Sequence, residues 1–158
     1  MRLCLCRTER PLQPAMSMQI RTFTNDDYIP ARTLWEATPG VGLSDADAPE
    51  AIRAFLARNP GTSFVAVDGE AVVGTILCGH DGRRGLIHHL VTAGSHRRQG
   101  LGTSLLRAGL KALRERGIAK CHLLVFRSNE HGLNFWRAVA AQERTELALF
   151  SVSTESAD

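Results

Sequence analysis

The stretch of sequence that decides the fold runs from Thr92 to Ser104 and reads TAGSHRRQGLGTS. An apolar, strand-like run at residues 86–92 ends where this stretch begins, and an amphipathic pattern typical of a long helix occupies residues 100–116. The first turn of a helix carries backbone N–H groups without partners and the positive end of the helix dipole. Glycines there let a bulky phosphate approach the backbone closely. The stretch therefore predicts an anion-binding loop between a strand and a helix.

Three phosphate-binding motifs compete for this loop. The Walker A motif requires a Gly-Lys pair, but no lysine follows Gly102. The dinucleotide fingerprint requires a third glycine where this chain has Leu105, and it belongs to a different strand order. The pattern that remains is Arg/Gln-x-x-Gly-x-Gly/Ala, which Arg97, Gly100 and Gly102 match.

The rest of the chain predicts a mixed α/β fold. Apolar runs bounded by turn residues predict strands at residues 18–23, 63–67, 71–78, 86–92, 121–126 and 147–152, of which 121–126 is of the buried type. Helical spacing and capping residues predict helices after Thr24, after Asp47, at residues 100–116 and at residues 129–140. The order is β-α-α-β-β-β-α-β-α-β, with an antiparallel meander in the middle and a crossover after it.

Length and composition indicate one globular domain. The chain has 158 residues, 44% apolar and 22% charged, and a chain of this size can bury a core without a disulfide or a metal. No apolar run approaches the ~18–20 residues that a membrane span requires, so no membrane partner is expected. Residues 1–17 lack the continuous apolar stretch of a signal peptide and are expected to form a disordered extension. The domain is expected at residues 18–152, with a flexible tail at 153–158.

Charge is unevenly distributed, although the net charge is only +3. Residues 83–120 contain nine basic side chains and one acidic one, whereas residues 26–50 contain six acidic side chains and one basic one. The first segment suits a polyanion and the second suits a cation. Nucleic acid is not the expected partner, because the basic helix lacks the aromatic side chains on which bases stack.

The cysteines and histidines predict neither a disulfide framework nor a metal site. Cys78 and Cys121 lie in apolar, strand-like runs, where a thiol usually acts as a small core side chain, and no Cys-x-x-Cys occurs. A reducing, cytoplasmic location is therefore expected. The six histidines lack the spacing of a paired metal-ligand motif, and adjacent histidines on a strand are expected to diverge, so no metal is expected.

A second pattern lies on the last predicted helix. The motif Asn129-x-x-Gly132-x-x-Phe135-Trp136 resembles the Asn-x-x-Ala-x-x-Phe-Tyr pattern of the GNAT family of N-acetyltransferases, and the loop at Arg97 resembles that family's pyrophosphate loop. The predicted element order is similar to the family's across the whole expected domain. The chain is therefore identified as a member of the GNAT family, similar to small bacterial members of unassigned substrate.

The resemblance implies acetyl-CoA as co-substrate, held in a V between two splayed central strands of a mixed sheet flanked by helices. The strand at residues 86–92 would part from the strand at residues 121–126, and its backbone would pair with the pantetheine arm. The residues expected to bind acetyl-CoA are Leu90, Val91, Thr92, Arg97, Arg98, Gln99, Gly100, Leu101, Gly102, Thr103, Asn129 and Trp136.

Acyl transfer to an amine requires a group that removes a proton, because an alkylammonium has a pKa near ~10.4. His88 and His89 lie beside the expected thioester, and an imidazole titrates near ~6.5, which suits a base. Successive strand side chains face opposite ways, so only one of the two is expected to face the substrate. His88, expected on the face of Leu90 and Thr92, is the first candidate and His89 the second. The alternative is that both are structural and bonded to backbone or water.

One departure from the family concerns the general acid. The family often has a tyrosine where this chain has Trp136, and an indole N–H does not usefully give up a proton. A thiol has a pKa near ~8.5, so the thiolate leaves without much help. Tyr28, the only tyrosine, is expected to be a packing residue.

Two functional classes remain open at this point. The expected function is an acetyl-CoA-dependent N-acetyltransferase, with direct attack by a primary amine in a ternary complex. The alternative, favoured by the tryptophan departure, is a CoA-binding sensor or interaction module that has lost the chemistry. A homodimer is a further possibility, because family members often dimerise. Glu36, Asp45, Asp47 and Glu50 lie in the family's acceptor region, where they would attract a cationic amine or form a solvated acidic surface.

Overall fold

The computed structural model describes residues 18–154, which fall into two compact units that meet in sequence between Leu124 and Val125. The extension predicted at residues 1–17 and the last part of the tail, residues 155–158, lie outside the described residues. The first unit contains the strands β1 (Gln19–Thr22), β2 (Phe64–Asp68), β3 (Ala71–His80), β4 (Gly85–Thr92) and β5 (Cys121–Leu123). It also contains the helices α1 (Tyr28–Glu36), α2 (Pro49–Arg58) and α3 (Leu101–Arg114). The second unit contains the helix α4 (Glu130–Ala138).

The four helices and the first four strands are confirmed. The ends of these strands, of α3 and of α4 lie within two residues of the predicted bounds, whereas α1 begins at Tyr28, later than the start predicted after Thr24. Short 3₁₀ turns precede the first three helices, at Asn25–Asp27, Asp45–Asp47 and Gly94–His96. The sheet has the order β1-β2-β3-β4-β5; the first four strands are antiparallel and β5 runs parallel to β4. A parallel pair requires a crossover, and α3 supplies it. The predicted meander and crossover are therefore confirmed.

Helices cover both faces of this sheet. On one face, Trp35 of α1 and Ile52 of α2 pack in one cluster with Leu77 of β3 and Val91 of β4, all at most 5% exposed. On the other face, α3 approaches β3 so closely that a methyl group added at Gly109 would lie 2.6 Å from the sulfur of Cys78. That glycine explains how a sheet strand and a helix backbone come together here.

The predicted strand at residues 121–126 is shorter than expected. Only Cys121, His122 and Leu123 pair with β4, opposite Gly85, Leu86 and Ile87. Leu124 is 68% exposed and Phe126 is 59% exposed, so the prediction of a buried six-residue strand is wrong. An edge strand has a single neighbour, and once the pairing with β4 ends no second strand of residues 18–124 covers it.

The last predicted strand, at residues 147–152, does not form. Leu149 is 71% exposed, Phe150 is 88% exposed, and no strand occurs among residues 125–154. Alternating apolar residues predict a strand only where a neighbouring strand accepts their backbone hydrogen bonds. That condition is not visible in the local pattern, so the last β of the predicted order is wrong.

A buried ion pair fixes the start of α1. The Asp27 carboxylate, 6% exposed, accepts two hydrogen bonds from the Arg21 guanidinium, at 2.6 and 2.7 Å, and one from the Thr24 backbone N–H at 2.8 Å. Burial raises the pKa of Asp27, but the bonds from Arg21 and Thr24 outweigh burial and the net pKa is lowered. The ionised carboxylate therefore belongs to the folded state.

We expect Asp27→Asn to lower the free energy of unfolding by about 1–3 kcal/mol, because the buried Asp27 side chain loses the charge that pairs with the partly exposed Arg21 guanidinium. A lowered folded-state pKa adds stability at pH values above the ordinary aspartate pKa, and this stability is lost as the pH falls through the lowered value. Urea unfolding at neutral pH and at pH about 3 measures both effects, and the difference from wild type should shrink in acid. A difference that stays constant with pH would contradict the ion-pair assignment.

Candidate functional site

The loop between β4 and α3 ends in a backbone that exposes the start of the helix. Gly100 is the N-cap of α3, has φ +76°, and offers no side chain to cap the helix. Arg98 also has a positive φ, +57°, so two left-handed residues lie within three positions of each other. The first-turn amides of α3 therefore receive no side-chain acceptor from their own N-cap, which leaves them available to an external anion.

The space at this helix start fits a phosphate group. A methyl group added at Gly100 would find no described atom within 4 Å. Leu101 is buried and only its backbone faces the loop, whereas Gly102 and Thr103 are partly exposed. Arg97 and Arg98 bring positive charge to the same loop, and the Arg97 Nε donates to the Thr92 carbonyl at 3.5 Å. Open space, bare amides and guanidinium groups together match the needs of a diphosphate.

The loop is anchored at its beginning. The His96 Nε2 lies 3.1 Å from the Asp68 Oδ2 at the end of β2, and the His96 Nδ1 lies 2.8 Å from the Ser95 Oγ. The Gln99 side chain donates to the Ser95 carbonyl at 3.3 Å. Sequence analysis missed this anchor, because His96 and Asp68 are 28 residues apart in the sequence and no local motif links them.

At the other end of the same segment, β4 contains a bulge. Leu77 of β3 pairs with His88, whereas Thr75 pairs with Val91, so two residues of β4 oppose the single residue Ile76. The first of the two, His89, has φ +45°, which is rare for a residue other than glycine. A bulge removes the extra residue's backbone groups from the regular ladder. The bulge lies just beyond Ile87, where the pairing of β4 with β5 ends.

The bulge places both histidine side chains on the same face of the sheet. The His88 ring meets Phe55 of α2 edge-on at 5.9 Å, and the His89 ring stacks on Trp35 of α1 at 4.3 Å. The expectation that adjacent strand histidines diverge is therefore wrong, because the left-handed residue interrupts the two-residue alternation.

The bulge also changes which residues share a face with His88. His88 shares its face with Val91, which packs in the α1/α2 cluster. Thr92 lies opposite Gly74, whose added methyl group would be 2.9 Å from Leu105 of α3, so Thr92 belongs to the other face. The prediction that His88 shares a face with Leu90 and Thr92 is wrong for the same reason.

Both the ring and the backbone carbonyl of His89 form hydrogen bonds in a buried network. Its Nε2 lies 2.6 Å from the Asp47 Oδ1, and both side chains are 11% exposed. Its carbonyl oxygen accepts from the Thr75 hydroxyl at 2.8 Å, and that hydroxyl accepts from the Trp35 indole N–H at 2.9 Å. Burial raises the pKa of Asp47, but the bonds from His89 and from the Ser44 backbone N–H outweigh burial and lower it.

His88, in contrast, keeps an exposed side chain. Partial desolvation lowers its pKa, and the neighbouring His89 lowers it further, while the Asp47 carboxylate acts in the opposite direction. A lowered pKa keeps this imidazole neutral, and so able to accept a proton, at more acidic pH than an ordinary histidine. Of the two histidines, His88 therefore has the properties of an accessible base.

The acidic residues of the expected acceptor region differ in their partners. Glu36 bonds to Arg32 at 2.7 Å and Asp47 is committed to His89. Asp45 and Glu50 are exposed and form no ion pair with any residue in the range 18–154. The charge that remains for a cation is therefore at the two ends of the Asp45–Glu50 segment.

Tyr28 also contributes to this region, since its hydroxyl donates to the Asp47 carbonyl at 2.9 Å. The Arg32 guanidinium donates to the same carbonyl at 3.2 Å. These bonds connect α1 to the segment that carries Asp47. Tyr28 therefore supports that segment, in agreement with the packing role expected for it.

The remaining two predicted residues lie in the second unit. The Asn129 side chain caps α4, its Oδ1 accepting from the Gly132 backbone N–H at 2.9 Å. The Trp136 ring packs edge-on against Phe135 at 5.2 Å. Both residues thus have a defined local setting within this unit, and their contacts with acetyl-CoA stay predictions.

Two further chemical features bear on the site. Among residues 18–154, no cluster of three or more histidine, cysteine or acidic side chains is arranged to hold a metal ion, and no helix is long and apolar enough to cross a membrane. Burial raises the pKa of the Cys78 thiol to about 12, with a smaller contribution from Cys121. Cys78 is therefore a core side chain and not a nucleophile.

Comparison with known proteins identifies a family and a similar sequence. Residues 28–140 match the family model described as the acetyltransferase (GNAT) family. The chain is 32% identical over 139 residues to the acetyltransferase plu1384 of Photorhabdus laumondii, covering 85% of this chain and 94% of that protein.

Two solved structures share the fold. One is the PaiA N-acetyltransferase of Thermoplasma acidophilum in complex with coenzyme A, with a TM-score of 0.66, 20% identity, and coverage of 78% of this chain and 89% of that one. The other is AAC(6')-Iy in complex with the bisubstrate analogue CoA-S-monomethyl-acetylneamine, with a TM-score of 0.67, 18% identity, and coverage of 87% and 98%. At 20% and 18% identity, these two structures show that the fold is shared and nothing more.

Proposed function

This chain belongs to the acetyltransferase (GNAT) family and is an N-acetyltransferase, and on that premise we propose that it transfers an acetyl group from acetyl-CoA directly to a primary amine in a ternary complex. The observation that carries the proposal is the glycine N-cap of α3, which has open space in front of it and follows Arg97 and Arg98 in the same loop. It provides a diphosphate site at one end of the β4–α3 segment. The bulge and His88 lie at the other end, where the chemistry would take place.

Acetyl-CoA supplies the activated acyl group as a thioester. In this proposal the amides of Leu101 to Thr103 bind the diphosphate, and Arg97 and Arg98 neutralise its charge. The Gln99 side chain, bonded to the Ser95 carbonyl, holds the loop closed. The coenzyme A complex of the PaiA neighbour supports a donor of this kind.

The backbone of Leu90, Val91 and Thr92 is the proposed binding edge for the pantetheine arm. Within residues 18–124 no strand pairs with this edge of β4 beyond Ile87, so the edge is open to an extended ligand, which would replace Arg97 as the partner of the Thr92 carbonyl. Asn129 and Trp136, which lie in the second unit, are proposed as further residues that bind acetyl-CoA.

His88 is the proposed base. Its exposed ring accepts a proton from the substrate ammonium, directly or through water, and its lowered pKa keeps it neutral at neutral pH. The thiolate of coenzyme A can leave without first receiving a proton, because it is a weaker base than the attacking amine. The tryptophan at position 136 is compatible with this assignment.

The acceptor is proposed to be a cationic amine. Asp45 and Glu50 are the two unpaired carboxylates of the acceptor-side segment within the described range. Exposed carboxylates attract cations over distances of about one Debye length, ~8–10 Å at physiological salt. The bisubstrate complex of the AAC(6')-Iy neighbour contains an amine-bearing ligand of this general class.

A thiol-release assay with acetyl-CoA and a panel of amines, amino acids and peptides tests the function. We expect release of free thiol that depends on the amine, with cationic polyamine-type acceptors preferred over neutral ones. Release without any amine dependence would indicate thioester hydrolysis instead. Tight binding of acetyl-CoA with no release for any acceptor would replace the proposal by the sensor alternative.

A further inference from the structure

The residue that makes the β4 bulge is a histidine in a backbone conformation that histidine rarely adopts. His89 has φ +45°, a value that a glycine would tolerate without penalty. A non-glycine residue keeps such a conformation only where its surroundings determine it more strongly than its own preference does. The surroundings of His89 therefore require a functional or structural explanation.

These surroundings come from three separate elements. Asp47, from the turn before α2, bonds the His89 ring at 2.6 Å, and Trp35 of α1 stacks on that ring. Thr75 of β3 holds the His89 carbonyl, and its hydroxyl is itself oriented by the Trp35 indole N–H. The ring and the carbonyl of His89 are thus both fixed, and Trp35 contributes to each contact.

We propose that Trp35, Thr75, His89 and Asp47 form a positioning network for acyl transfer: by locking the bulge they orient the backbone at Leu90 toward the acyl group and couple the acceptor-side segment to the donor strand. The proposal rests on the proposed function. His89 acts here through the backbone, and His88 remains the group that meets the substrate.

The coupling follows from where Asp47 lies. Its carboxylate bonds His89 on the donor strand, while its own backbone carbonyl accepts from Tyr28 and Arg32 of α1. Asp45 and Glu50, the proposed cation-attracting residues, flank it in the same segment. An acceptor that shifts this segment therefore changes the bond between Asp47 and His89. Through that bond, acceptor binding changes the conformation of the bulge on the donor strand.

Thr75 provides the sharpest test, because two substitutions separate shape from hydrogen bonding. Thr75→Val keeps the branched shape and removes the hydroxyl that holds the His89 carbonyl. Thr75→Ser keeps the hydroxyl and removes the methyl group. We expect both variants to be less stable than wild type, but only Thr75→Val to lower kcat, by about tenfold.

A matched control is Thr62→Val. Thr62 is as fully buried as Thr75, and its hydroxyl bonds the carbonyls of Asn59 and Cys78 instead of that of His89. We expect it to lose stability without losing kcat. Equal loss of kcat in Thr62→Val and Thr75→Val would show that destabilisation alone explains the effect, and would overturn the proposal.

The kinetic signature distinguishes positioning from binding. We expect Thr75→Val to leave the KM for acetyl-CoA and the shape of the pH–rate profile unchanged, because neither the diphosphate loop nor His88 is altered. Asp47→Asn, which leaves one of the donors from His89 and Ser44 without its acceptor, should lower kcat in the same way. A normal kcat in Thr75→Val, with active wild-type enzyme, would reject the network's role. An inactive wild-type enzyme would instead reject the proposed function.

Discussion

Replacing Gly100 by glutamate is expected to weaken coenzyme A binding by about 100-fold or more, a loss of about 2.7 kcal/mol. The new carboxylate would stand at the positive end of α3, in the open space that the diphosphate needs. It would satisfy the first-turn amides itself and repel a phosphate that carries the same charge. Titration calorimetry with coenzyme A measures the effect directly.

The variant also has a backbone cost that must be separated from its effect on binding. A side chain at φ +76° costs about 1–2 kcal/mol, whatever its charge. Gly117, just past the other end of the same helix, offers a matched control: it has φ +79° and equally open surroundings. Gly117→Glu carries the same strain and the same charge, and we expect it to bind coenzyme A normally. Unchanged affinity in Gly100→Glu, with the variant folded, would refute the diphosphate assignment.

The contrast between the loop and the bulge explains what the sequence could predict. The bare start of α3 depends on Gly100 and its immediate neighbours, because a glycine N-cap offers the first-turn amides no side-chain acceptor. This geometry is contained in a few consecutive residues, so a local motif could indicate it, and the binding of a diphosphate there stays a prediction. Asn129 shows the same locality at α4, where its side chain accepts from the Gly132 backbone N–H and caps the helix.

The bulge could not be predicted in this way. His89 is held by Asp47, 42 residues away in sequence, and by Thr75, 14 residues away. Strand alternation assumes a regular ladder, and one left-handed residue reverses it for every later position of β4. The signal available in the sequence was only the adjacent histidines themselves, which are compatible with either geometry.

The strand expected at residues 147–152 failed for a related reason. Its apolar run, LALFSV, meets the local requirement for a strand, yet Leu149 and Phe150 are mostly exposed. A strand is stabilised by its neighbour, and pairing partners are a property of the whole sheet. Local patterns therefore predicted elements that have their partners nearby in sequence, such as the β2–β3 hairpin, more accurately than isolated edge strands.

Replacing His88 by alanine is expected to lower kcat by about 100-fold, the lower end of the range for loss of a general base. The exposed ring next to the bulge is removed, while the diphosphate loop and the His89 network are untouched. The affinity for acetyl-CoA should therefore stay the same. His80→Ala is the control: His80 lies at the turn end of β3, where its Nδ1 accepts from the Gly82 backbone N–H, and its loss should leave kcat unchanged.

The pH dependence gives His88 a second, independent signature. A base acts in its neutral form, so activity falls as the pH drops through its pKa. Because burial and His89 lower the pKa of His88, the acid limb of kcat/KM for wild-type enzyme should lie below the ordinary histidine value of ~6.5. In His88→Ala that limb should disappear, leaving only the titration of the acceptor amine at higher pH. If the variant keeps both its rate and its acid limb, the proton is removed by another group, and the His88 imidazole on β4 is a packing partner of Phe55 on α2. If instead the acid limb shifts while kcat is unchanged, another group is the base and His88 only changes the pKa of that group.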